Sequence, residues 1–314
     1  MKRVFITGAS GCVGHYICEH LIDKTDHELF LLVRNPAKLG FNCQARPGIH
    51  VLPGDLHQID DHTELLQTID VAILTAAAWG DPEQTRQVNV VKTHRLMELL
   101  AVDRCEQVIY FSTASILNRQ NQLLPEAGEI GTDYIRTKYQ GYQQLDQLAI
   151  APKITTLFPT LVFGGSPHKP YSHITAGIPQ VLRWAELIRW FQGDASFHFI
   201  HAQDIAQIVG YLVEHPGQGK RNFVMGNPAI NINEAIAEVC TYLNKKIYFQ
   251  LPLSTPLANF FIVLFRIQMA TWDYFSLQYR HFNYQNVIMP SSFGLDNYCP
   301  TLTDLLKLYQ NLDT

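Results

Sequence analysis

Tyr134 and Lys138 are four residues apart, so on a helix the phenol and the ammonium leave one face within reach of each other. A lysine so placed stabilises a phenolate and lowers the tyrosine pKa toward working pH. An acid/base acting on a carbonyl or alcohol oxygen needs that shift. Thr113, in the run Ser112-Thr113-Ala114-Ser115, offers a hydroxyl 21 residues earlier. Tyr-x-x-x-Lys is a pattern met easily by chance, and a second copy occurs at Tyr242 and Lys246. That copy follows a helical pattern over 232–240 and leads into Ile247-Tyr248-Phe249, where a structural role is the better reading.

The stretch 7–14, Thr-Gly-Ala-Ser-Gly-Cys-Val-Gly, could hold an anion beside that pair. It follows the apolar run Val4-Phe5-Ile6, which suits a buried strand, and precedes Val13, Ile17, Leu21 and Ile22, whose spacing suits the inner face of a helix. Gly8, Gly11 and Gly14, with Ser10, Cys12 and Val13 between them, therefore sit in a strand-to-helix turn where backbone comes close to a neighbour. The helix start points unpaired N–H groups and the positive end of its dipole at whatever binds, which suits a pyrophosphate. A tight turn that binds nothing is the competing reading.

The positioning elements follow in order. A run over 29–33 ends at Arg34-Asn35-Pro36, twenty residues past Gly14. In a dinucleotide fold that position faces the adenosine ribose, and an arginine there suits a 2′-phosphate. Arg34, helped by Lys38, thus points to NADP(H), with NAD as the alternative; a solvated arginine at a strand end competes with both. A strand over 71–75 ends in Ala76, Ala77 and Ala78, whose small side chains leave room for a ligand at the sheet edge. A long helix is expected over 82–100 with Val88, Val91, Leu96 and Leu99 inward, then a strand over 107–111, a helix opening near Gly131 and a strand over 154–158. The texture changes after Gly165, where the chain crosses into a second lobe.

At 314 residues, 47% hydrophobic and 17% charged, the chain reads as a compact α/β protein with ample core. A net charge of −4 and a pI near 6.3 give no footprint for nucleic acid. Six cysteines without a Cys-x-x-Cys pair indicate neither a zinc site nor a disulfide framework, and no set of histidines has metal-site spacing. A reducing, cytoplasmic setting fits, and no signal peptide is evident. The run over 257–269 is too short to span a bilayer. With Tyr274, Phe275, Tyr279, Phe282 and Tyr284 it reads first as core and lobe packing. An apolar pocket, a partner surface or a membrane-surface contact are the other readings.

The glycine turn, Arg34, Gly54-Asp55-Leu56, Asn89 in Asn89-Val90-Val91-Lys92-Thr93, Thr113, Tyr134 with Lys138, 159–165 and 198–206 occur together and in order. Jointly they resemble the extended short-chain dehydrogenase/reductases, also called the NAD(P)-dependent epimerase/dehydratase family, over about residues 3–240. Phe158 and Gly165 depart from the arginine and proline of that family's run.

The resemblance implies a doubly wound parallel sheet (Rossmann) over 1–165 with a return segment over about 197–225, and a smaller substrate lobe from 166–196 and 226–314. It implies Tyr134 as acid/base, Lys138 on the nicotinamide ribose and Thr113 on the substrate oxygen, with Ser112 assisting. Asp55 and Leu56 would lie against adenine, although Asp55 could equally cap a helix. Pro159, Leu161 and Val162 would border the nicotinamide. The main expectation is an NADP(H)-dependent oxidoreductase of an apolar small molecule. A sugar-nucleotide epimerase or dehydratase, with Arg183, Arg189 or Arg280 on the diphosphate, is the alternative, and a non-catalytic dinucleotide-binding sensor or assembly factor is the third. A homodimer through helices beginning near Glu83 and Gly131 is implied by likeness only.

Overall fold

The computed structural model describes residues 1–253, 257 and 268–309. Its strands up to the edge of the main sheet, in chain order, are β1 (Arg3–Thr7), β2 (Glu28–Val33), β3 (Ile49–Pro53), β4 (Val71–Leu74), β5 (Gln107–Phe111), β6 (Ile154–Pro159), β7 (Leu161–Phe163), β8 (Phe191–Gln192), β9 (Ser196–Phe197), β10 (Phe199–His201) and β11 (Arg221–Met225). Seven of them form one sheet in the order β11-β6-β5-β4-β1-β2-β3, every pairing parallel. The order reverses between β1 and β4, so connections leave that point on opposite faces and open a crevice at the carboxyl edge.

Alternate residues of a strand face opposite sides, and the sheet is buried on both. Val4 and Ile6 of β1 join a core against helix α1 (Cys12–Lys24) and the helix Ala202–Glu214. Phe5 turns to a second core with Leu96, Met97 and Leu99 of the helix Thr93–Leu99. Truncating fully buried Phe5 would cost about 3–5 kcal/mol in lost transfer energy and cavity. α1 runs straight out of β1 because Gly14 lies against the turn, where a Cβ would meet the Gly8 carbonyl oxygen at 2.0 Å.

The region expected as one helix over 82–100 is three joined pieces. An α segment, Pro82–Arg86, passes into a π turn, Gln87–Lys92, before Thr93–Leu99. The wider turn rotates the face, so Asn89, Val90 and Thr93 are buried while Val88 and Val91 are only partly so. The Tyr242 and Lys246 pair does not share a helix, because the helix Ile232–Tyr242 ends at the tyrosine.

Beyond β6, β7 pairs in parallel with β10, and the helix Ala202–Glu214 carries the chain back to β11 at the sheet edge. Its buried Asp204 accepts the backbone N–H groups of Tyr298 (2.6 Å) and Cys299 (3.2 Å), tying the C-terminal segment to the core. Phe275, Tyr279, Phe282 and Tyr284 pack around Trp272 against Ile135 and Phe158; Tyr274 is exposed. Residues 258–267 of the apolar run lie outside the described residues. No helix among the described residues is long and apolar enough to cross a membrane.

Burial pushes the Asp204 carboxyl up to about 6, against the pull of its two amide donors. The folded state then holds this proton more tightly than the unfolded chain, whose carboxyl titrates near 3.8. Its stabilising contribution is complete below pH 4 and is lost as pH rises through about 6. In urea titrations, Asp204→Asn should remove that part of the pH dependence, so the wild-type minus variant stability difference should fall between pH 4 and 6. A difference that is flat over this window would refute the assignment.

Candidate active site

The glycine turn closes on itself through Gly11 N–H to the Gly8 carbonyl, 2.9 Å. Gly8 adopts φ +78°, and a Cβ there would meet Thr75 Oγ1 at 2.5 Å and the Ala76 nitrogen at 2.6 Å. The loop is thus pressed onto the end of β4. Gly11, the residue before α1, is exposed and supplies no side chain to cap the helix. The first-turn N–H groups of Cys12 and Val13 therefore point into the crevice, and this cradle fits the diphosphate of a dinucleotide.

His15 holds the cradle from behind. The Gly40 N–H donates to its Nε2 at 3.0 Å, which leaves Nδ1 to donate to the Gly11 carbonyl at 3.0 Å. The Cys12 thiol lies beside Gly164, and burial raises its pKa to about 12, so it is packing and not a nucleophile. Ser10 is half-buried in the turn.

Arg34 stands exposed past β2, its Nε 4.0 Å from Asp55 Oδ2. Asp55 is the N-cap of the 3-10 helix Leu56–His62, accepting the His57 N–H at 2.9 Å, and its Oδ1 lies 2.5 Å from His57 Nδ1. The capping role is therefore what the structure supplies for Asp55. The Leu56 side chain is buried in the core and supports this wall from within. Pro159 is buried in β6, and Val162 is partly buried and packed on the core around α1. Leu161 is the exposed residue of that run.

The helix Asp133–Gln143, capped by Thr132, presents Tyr134 and Lys138 to the same edge. Lys138 Nζ donates to the Phe111 carbonyl at the end of β5, 2.8 Å, and lies 5.8 Å from the centre of the Tyr134 ring. Burial lowers the ammonium to about 8 and drives the phenol well above its usual value. The expected lowering of the tyrosine pKa is therefore not what the chain alone produces. Desolvation disfavours both charged forms, and the ammonium is directed at a carbonyl and not at the phenol. At neutral pH Tyr134 holds its proton, ready to give it to an oxygen. Its hydroxyl has no hydrogen-bond partner among the described residues.

Thr113 caps the 3-10 turn Ala114–Ile116 and shares its hydroxyl with Ser115 at 3.3 Å. Buried Ser112 Oγ has no hydrogen-bond partner among the described residues. Asn89, expected on the cofactor, is fully buried and works as a brace. Its Oδ1 accepts the Ala78 N–H at 2.9 Å, and its Nδ2 donates to the Ala78 carbonyl at 3.2 Å and to Thr137 Oγ1 at 3.0 Å. The Ala76-Ala77-Ala78 loop is thereby clamped to the helix carrying Tyr134. Next along it, Trp79 lies flat on the Tyr134 ring, centroids 3.7 Å apart. Neither His15 nor Trp79 was singled out by sequence. His15 carries no motif, and Trp79 lies one residue beyond the alanines that do.

The sequence model described as "NAD dependent epimerase/dehydratase family" matches residues 4–226. No curated protein sequence matches the chain. Among solved structures, the protein gox2253 is 19% identical with 99% of each chain covered and a TM-score of 0.71. The Bordetella bronchiseptica enzyme WbmG in complex with NAD and UDP is 17% identical, covering 99% of this chain and 96% of its own, with a TM-score of 0.64. UDP-glucose 4-epimerase of Thermotoga maritima with UDP-glucose is 12% identical, covering 99% and 100%, with a TM-score of 0.62. At these identities the likeness is one of fold.

Asn89→Ala would strand the Ala78 N–H and release the loop from the helix. Loss of stability by about 2–4 kcal/mol in urea unfolding is expected from the unpaired buried groups and the cavity. A loss below about 0.5 kcal/mol, the range of ordinary surface substitutions, would show the brace to be idle.

Proposed function

The chain belongs to the NAD dependent epimerase/dehydratase family, and we propose that it is an NAD(P)-dependent enzyme oxidising a secondary alcohol of a nucleotide-linked sugar, as an epimerase or dehydratase. The observation that carries this reading is the phenol of Tyr134, unbonded and beside Lys138, at the sheet edge next to an uncapped glycine cradle. A nicotinamide dinucleotide bound there would supply hydride acceptance and return. Tyr134 moves the proton of the reacting oxygen. Lys138 holds that side of the site electropositive, and Thr113 or Ser112 bonds the oxygen. The substrate class is supported by structures of whole-chain likeness whose titles carry UDP or UDP-glucose. Residues 166–196 and 226–314 would form the substrate lobe. There Arg183 is exposed, whereas Arg189 and Arg280 pair with Glu186 and Asp194, pairs that a diphosphate would have to replace.

A reductase of an apolar carbonyl is the second reading, favoured by the exposed indole of Trp79 on the phenol ring. The cofactor choice turns on Arg34. A 2′-phosphate would meet its exposed guanidinium, while a 2′-hydroxyl would meet Asp55 alone, so NADP is preferred and NAD is the alternative. A homodimer through the helices beginning near Glu83 and Gly131 is part of this reading. An open groove of about 640 Å³ between those helices is lined by Glu83, Arg86, Arg136 and Tyr139.

Purified protein given NAD(P) and a panel of UDP- and dTDP-sugars should convert one of them, read by NMR of the sugar. Tyr134→Phe should lower turnover by about 10²–10⁴-fold with cofactor affinity intact. NADPH oxidation by aromatic ketones in place of sugar conversion would select the second reading, and unimpaired turnover in the variant would overturn both. In binding titrations, Arg34→Ser should weaken NADP by roughly tenfold, about 1.4 kcal/mol, and leave NAD unchanged. Equal wild-type affinities for the two would remove the preference.

A further inference from the structure

Three aromatic groups from three separate segments meet at the mouth of the site. Trp79, on the loop after β4, lies over Tyr134 with ring planes 8° apart. Its indole also meets His173, the first residue of the short helix His173–Ala176 beyond β7, at 5.2 Å and 50°. The indole therefore spans from the helix that carries the acid/base to the segment on the far side of the mouth. Among the described residues no hydrogen bond and no further ring holds it there. Trp79 is 55% exposed, and the next residue, Gly80, has φ +101° with no atom within 4 Å of where a Cβ would lie. The loop is anchored one residue before Trp79, where Asn89 bonds both backbone groups of Ala78. An anchored base, a free ring and a glycine on its far side make a short arm whose single large group can swing while the loop stays in place.

We propose that Trp79 is a positioning residue and a cap. Its indole covers the phenol in this conformation, and a substrate reaches Tyr134 by displacing it, after which the indole stacks on the substrate and holds it against the phenol. A parallel aromatic pair at this spacing contributes about 0.5–1.5 kcal/mol beyond its area burial. That is small enough for a substrate to exchange one stack for another. The cap also keeps water off the phenol, and removing it would let the phenol ionise more easily. The inference rests on Tyr134 being the acid/base of the preceding section, and its test is chosen to be read without turnover.

The test is O-acetylation of Tyr134 by N-acetylimidazole, followed by peptide mass spectrometry in wild type, Trp79→Ala and Trp79→Phe. Trp79→Ala should react at least about tenfold faster, since each pKa unit by which the phenol falls multiplies phenolate tenfold. Trp79→Phe, which keeps a flat ring, should stay close to wild type. Equal rates in wild type and Trp79→Ala, or a phenylalanine variant as reactive as the alanine one, overturn the cap. Once a substrate is in hand, Trp79→Ala should raise KM severalfold with kcat nearly kept and phenylalanine restoring KM, whereas an unchanged KM refutes the stacking role. If no substrate is turned over by wild type, the enzymatic reading fails while acetylation still decides the cap.

Discussion

The buried side-chain amide of Asn89 spends its oxygen and both hydrogens on two separate pieces of structure: the Ala78 backbone and the Thr137 hydroxyl. One piece is the loop at the end of β4, the other the helix that presents Tyr134 and Lys138. The registry between the loop at the end of β4 and the helix that carries Tyr134 is set there. Because a buried amide left unpaired costs more than the bonds return, the arrangement is close to all-or-none. The π turn is what makes it available. An α-helical continuation would have carried residue 89 to a different face, and π turns commonly appear where a side chain has to be re-aimed for function.

Burial is the second constraint, and it acts on charge. Tyr134 and Lys138 both sit where ionisation is unfavourable, so the phenol is driven up and the ammonium down, to about 8. Separately, each would be a poor participant near neutral pH. Together they form a pair whose protonation depends on what else enters the crevice: an anion favours the ammonium, and uncovering the ring favours the phenolate. Site chemistry is therefore conditional on occupancy, in keeping with a reaction that must not start in water.

The two ends of the crevice are built by different means. Around the cradle the support is backbone and histidine: His15 bonds Gly11 and Gly40, and Tyr16 receives the Lys169 ammonium 4.0 Å from its ring centre while bonding the Gly165 backbone. Around Tyr134 the support is a stack of aromatic rings and one amide. The first is stiff and suits a ligand held for many turnovers. The second can exchange partners, which suits a substrate that comes and goes.

Local pattern alone was enough for the strand-turn-helix at Gly8 to Gly14, the end of β2 at Arg34, the helix opening near Gly131 and the family itself. Each depends on neighbours within one or two turns of chain, where apolar period, proline and glycine dictate backbone directly. Residues 82–100 were legible as helical but not as π, since a one-residue widening of the turn leaves the sequence period almost unchanged. Asp55 could be read as a cap or a ligand contact, and it took the tertiary structure to show the cap, through the N–H of His57. Leu56, Pro159, Val162 and Asn89 were assigned to the cofactor by order in the chain, whereas burial, a property of the packed sheet, turned their side chains inward. The stacking of Trp79 on Tyr134 joins residues 55 positions apart. No periodicity records such a contact, because it exists only after the β4 loop and the helix Asp133–Gln143 are brought together at the sheet edge.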